Sequence, residues 1–139
     1  MLEIDNQTSI DIKTDFLQDI AKEMSFKDIE LLIVQKDFIQ ELNKTYRNQD
    51  KPTDVLSFPL QDMGADTLLG SIVICIEIAQ QQAQTYHHTL QEEIALLLIH
   101  GILHLLGFDH EKDNGEHREV EQKWIHHFKL PESLIVRNQ

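Results

Sequence analysis

The sequence predicts a single α+β domain over residues 1–139. A small mixed four-stranded sheet is expected to pack with about five or six helices, one of them central and apolar. Three observations carry this expectation. The length and the 41% hydrophobic content suit one real core, with no low-complexity tract, repeat or Pro/Gly-rich linker to divide it. Short β-branched stretches alternate along the chain with segments of helical periodicity. Finally, the run over 94–106 is apolar on every side except at two histidines, so a helix there has to be largely buried.

The elements follow in order. "LEID" at 2–5 reads as a short strand. Over 12–24, Ile12, Phe16, Leu17, Ile20 and Met24 fall on one helical stripe, with Asp11 available as N-cap. "DIELLIVQ" at 28–35 is a buried strand. Residues 37–48 form a helix on which Phe38, Ile39, Leu42 and Tyr46 share a face. Pro52 stops that helix. "DVLSF" at 54–58 is a strand closed by Pro59 and suited to a sheet edge, and "DMGAD" is a loop. "LLGSIVICIEI" at 68–78 is rich in β-branched residues and reads as the central strand, with a polar helix after it over 80–87. Thr89 and Glu92 match a capping box at the head of helix 90–106, and Gly107 suits its left-handed exit. A last amphipathic helix over 114–128 turns Val120, Trp124, Ile125 and Phe128 inward.

Composition narrows the function. A net charge of −12 argues against broad, non-specific nucleic-acid binding, which rests on Lys/Arg–phosphate contacts. The N-terminal stretch has neither the basic nor the apolar region of a signal peptide, and no run is apolar enough to span a membrane. The lone Cys75 forms no internal disulfide and suits a reducing compartment, so a cytoplasmic location is expected, with the thiol buried.

The chemistry concentrates in "HGILHLLGFDH" at 100–110. Residues four apart on a helix project from nearly the same side, so His100 and His104 can reach one ion. Gly107 lets the chain double back and bring His110 from another direction. Three neutral imidazoles suit Zn²⁺, one per chain, and leave the fourth position open, as in catalytic rather than structural zinc sites. A zinc-hydrolase-like domain built around a central ligand helix is the expectation. His87, His88, His126 and His127 form adjacent pairs whose side chains diverge, which favours the surface. His117 lies just past the ligand loop, where it can support the ligands.

The spacing H-x-x-x-H-x-x-G-x-x-H is also that of the metzincin peptidases, whose first histidine is followed by a glutamate general base. Here that position is Gly101. A metallopeptidase-like zinc hydrolase is therefore the alternative reading, and Asp109 is a substitute base only in principle. A non-catalytic factor whose zinc merely holds the fold is a third. In a second segment, Lys44, Arg47 and Lys51 fall within eight positions, and a guanidinium suits bidentate binding of a phosphate.

Together "LNKTYRNQDKPTDVLSFP", "LGSIVIC" and "EEIALLLIHGILHLLGFDH" resemble the YbeY family of bacterial endoribonucleases, with every fixed position of H-G-x-L-H-L-x-G-x-D-H present. The resemblance covers most of the chain. It implies zinc ligands at His100, His104 and His110 and a functionally required Arg47. It also implies metal-dependent cleavage of single-stranded RNA, in 3′-end maturation of small-subunit ribosomal RNA and in ribosome quality control. The implied partners are single-stranded ribosomal RNA and the ribosome or ribosome-associated proteins, in the cytoplasm. One position departs: Ser71 stands where the family usually carries an aspartate.

Overall fold

Alternating hydrophobic residues build the sheet. The computed structural model describes residues 1–60, 68–108 and 114–132. In chain order these form β1 (Leu2–Asn6), α1 (Asp15–Met24), β2 (Asp28–Val34), α2 (Lys36–Arg47), β3 (Val55–Pro59), β4 (Leu68–Cys75), α3 (Ile76–Thr85), α4 (Leu90–Leu105) and α5 (Glu116–His127). The sheet order is β1-β2-β4-β3. β1 and β4 run parallel to β2, and β3 runs antiparallel to β4. The mixed four-stranded sheet, the interior position of β4 and the edge position of β3 all match the expectation. The 62–66 loop lies outside the described residues.

The period of two along each strand separates two cores. Ile29, Leu31, Ile33, Ile72 and Ile74 face one way, into a large core shared with α1, α4 and α5. Val34, Leu56, Val73 and Cys75 face the other way, into a smaller core with Ile39 of α2. As expected of a helix apolar on all sides, α4 is buried over nearly its whole length, from Glu93 to Leu105.

Its two ends are built as the sequence predicts. The Thr89 hydroxyl accepts from the Glu92 N–H at 3.0 Å, and the Glu92 carboxylate accepts from the Thr89 N–H at 2.9 Å. At the other end Gly107 takes φ 100°. Its N–H donates to the His104 carbonyl, and the Phe108 N–H donates to that of Leu103, both at 3.0 Å, closing a Schellman turn.

Two expectations are corrected. The strand predicted over 68–78 ends at Cys75, and Ile76 already begins α3. Ile76, Ala79 and Ala83 are buried at helical spacing, so packing overrides the β-preference of isoleucine. The predicted start of the first helix at 12 moves to Asp15, with Thr14 rather than Asp11 at the N-cap position, although Ile12 is still buried. The inward face of α2 is Ile39 and Asn43, whereas Phe38 and Tyr46 are 43% and 65% exposed. Asn43 tolerates burial because its Nδ2 donates to the Lys51 carbonyl at 2.9 Å. Phe38, Leu42 and Tyr46 instead line a groove of about 330 Å³ with Phe58, Ser71 and Val73.

Candidate metal centre

Helical spacing on α4 brings His100 and His104 together as predicted: their Nε2 atoms lie 3.1 Å apart. Both rings are half-buried. From α5, fully buried His117 closes the group, and His100, His104 and His117 each offer a nitrogen within 4.8 Å of the others. Such a cluster of borderline-soft nitrogens fits a zinc-type ion, which satisfies several buried imidazoles at once. The sequence places His117 beside the ligands, and the structure brings it into the cluster. His110 and Asp109 lie outside the described residues.

Glu121, one turn beyond His117 on the inward side of α5, also belongs to this cluster and is not among the residues the motif predicts. Its Oε2 accepts from His100 Nδ1 at 2.6 Å and from His117 Nε2 at 3.2 Å. The signal was the i,i+4 pair His117–Glu121 on a helix otherwise read for its apolar face. Burial alone pushes this carboxyl up, but the hydrogen bonds and charge of His100 and His117 outweigh it and hold the carboxyl at about 2.

Gly101 answers the comparison with the peptidases. A Cβ there would meet Ile72 Cγ2 of β4 at 2.9 Å, so any side chain at this position has to displace Ile72. The Gly101 carbonyl also accepts from Ser57 Oγ at 3.3 Å. The catalytic carboxylate of a metzincin is absent here, and close packing on Ile72 disfavours one.

Arg47 ends α2 and reaches the edge strand β3, where its guanidinium donates to the Ser57 carbonyl at 2.9 Å and lies 6.0 Å from the centre of the Phe58 ring. Ser57 therefore joins Arg47 on one side to the residue after His100 on the other. Ser71 lies on the sheet face away from α4 and donates to Glu30 Oε1 at 2.9 Å. Of the four outlying histidines, His87, His126 and His127 are exposed as expected. His88 is not. Its side chain is 3% exposed and paired at 2.7 Å with fully buried Glu93. His87 takes φ 59°, turning the chain so that one member of the divergent pair points out and the other in.

A mixed α+β layer carries a buried helix, α4, and a histidine cluster spanning α4 and α5 that could hold a metal ion. The family model described as Endoribonuclease YbeY matches residues 2–129. Curated proteins called Endoribonuclease YbeY are similar throughout. The one from Aliarcobacter butzleri is 57% identical, with 99% of each chain covered. That from Campylobacter jejuni strain RM1221 is 54% identical, covering 91% of this chain and 94% of its own. A solution structure of TM1509 from Thermotoga maritima superposes with a TM-score of 0.66 at 31% identity, covering 92% of this chain and 89% of that one. The chain belongs to the endoribonuclease YbeY family.

Proposed function

We propose that this protein is a single-strand-specific, zinc-dependent endoribonuclease. It acts in the cytoplasm in 3′-end maturation of small-subunit ribosomal RNA and in ribosome quality control. The observation that carries the reading is the convergence of His100 and His104 at 3.1 Å in a chain that belongs to this family. His100, His104 and His110 hold one Zn²⁺, and His117 adjoins His100 and His104. When bound, the ion supplies Lewis-acid polarisation at the scissile phosphate. Arg47 binds a phosphate oxygen and offsets the charge that develops on it in the transition state. The buried face of α4 and the Ser57 bridge hold Arg47 and the imidazoles in one frame, so positioning is set before substrate arrives.

With a net charge of −12 the chain has little electrostatic hold on RNA, so the ribosome or a ribosome-associated protein supplies much of the targeting. Among the described residues no helix is long and apolar enough to cross a membrane.

The test is cleavage of a labelled single-stranded RNA by the purified protein, with and without a zinc chelator. Cleavage lost on chelation and restored by zinc supports the reading. Equal cleavage in both removes the metal from it. Arg47→Ala is expected to lower the rate by about 100-fold or more, the scale set by losing one transition-state donor. A protein substrate run in parallel separates this reading from a peptidase: hydrolysis abolished by His104→Ala yet untouched by Arg47→Ala would favour the peptidase.

A further inference from the structure

Among the described residues, the most deeply buried carboxylate beside the histidine cluster does not approach it as a ligand. Glu121 is 2% exposed, and a single oxygen, Oε2, takes hydrogen bonds from two different imidazoles. A carboxylate only accepts, so each imidazole nitrogen facing it carries the hydrogen. For His100 the atom facing Glu121 is Nδ1, and the atom facing His104 is Nε2. The contact therefore fixes both the ring plane of His100 and which of its nitrogens is left with a lone pair. The same oxygen holds the His117 ring, whose centroid lies 5.0 Å from those of both His100 and His104. His100 is on α4, while His117 and Glu121 are on α5. Glu121 thus ties the two helices together at the point where the nitrogens meet.

We infer that Glu121 is the positioning residue of the centre, holding His100 with its proton on Nδ1 so that Nε2 faces the ion, and locking His117 beside it. The inference rests on the zinc reading above and assigns to that site a residue outside the ligand set. Carboxylate partners of ligating histidines raise ligand basicity and fix orientation, and their loss costs 10–100-fold in metal affinity. Simple packing does not need the carboxylate at this position, because an apolar side chain of similar size would fill the same space between α4 and α5.

The test has two arms on the full chain. In the first, zinc affinity is measured by competition with a chromogenic chelator for the unsubstituted protein, Glu121→Gln and Glu121→Ala. Glu121→Ala is expected to bind zinc at least tenfold more weakly. Glu121→Gln, whose amide oxygen can still accept from His100, is expected to fall between the two. A loss of less than tenfold in a folded Glu121→Ala overturns the assignment. In the second arm, nitrogen NMR of the zinc-loaded, unsubstituted protein locates the His100 ring proton, a readout that depends on no variant folding. A proton on Nδ1 is expected, and a proton on Nε2 overturns the inference. No zinc uptake by the unsubstituted protein overturns both readings. Tight uptake by all three proteins overturns only the role of Glu121.

Discussion

A Cβ built on Gly101 comes within 2.9 Å of Ile72 Cγ2 and 3.0 Å of its Cδ1. Ile72 is fully buried and β-branched, so it has little freedom to move aside. Gly101→Ala gains about 1 kcal/mol of helix propensity but overpacks the core at a cost of about 1–3 kcal/mol. A net loss of about 1 kcal/mol is expected, read as a lower urea midpoint; an unchanged or higher midpoint would show that the sheet can retreat. Cys75 makes a second test at this scale. Burial pushes its thiol pKa up, and the neighbouring Glu77 carboxylate adds to the rise. Iodoacetamide at mild alkaline pH is expected to leave the native protein unmodified and to alkylate it once urea unfolds it. Brisk labelling of the native state would contradict that burial.

The ends of α4 differ in kind. At the C-terminal end Gly107 has open space around the position of a Cβ, so any cost of Gly107→Ala comes from its φ of 100°. About 1–2 kcal/mol of stability is expected to be lost, and the turn that leads toward His110 is disturbed with it. Zinc affinity should therefore fall along with the melting temperature, and a fall in only one of them separates the turn from the site. At the N-terminal end fully buried Glu93 pairs with His88. Glu93→Ala leaves a buried imidazole without that carboxylate and is expected to cost about 3 kcal/mol by chemical denaturation. A cost below about 1 kcal/mol would mean that the pair is solvated. The capping box and the glycine exit were legible in the sequence because both act through local backbone groups. The His88–Glu93 pair was not, because it depends on which member of a divergent pair the preceding turn sends inward.

Acid and metal act on the molecule as a whole. Glu121 is held at about 2 against an ordinary value of 4.5. A depressed folded-state value contributes stability that is fully present above about 4.5 and is lost as pH falls toward 2. That gap corresponds to about 3 kcal/mol. Metal-free protein should therefore lose stability steeply over this window, and Glu121→Gln should flatten the acid limb. Equal acid limbs would show that other carboxylates dominate it. Zinc at 100 times its dissociation constant is expected to add about 2.7 kcal/mol, or about 10 °C in Tm for a domain of this size. The core around α4 is a large, continuous cluster of buried apolar residues. Chelated protein should therefore stay folded by circular dichroism, whereas outright unfolding would favour a zinc that only holds the structure together.

By itself the sequence determined the class of fold, the buried helix α4 with both its ends, and the pairing of His100 with His104. Each of these rests on interactions between residues a few positions apart, whose geometry the helix repeat dictates. Only the tertiary structure decided that Glu121 and His117 join the centre, that Arg47 reaches β3 at Ser57, that Phe38 and Tyr46 face a groove rather than the core, and that the strand after Leu68 yields to a helix at Ile76. These depend on where two distant elements meet and on which face of a helix finds the larger apolar partner, and neither is encoded in local periodicity.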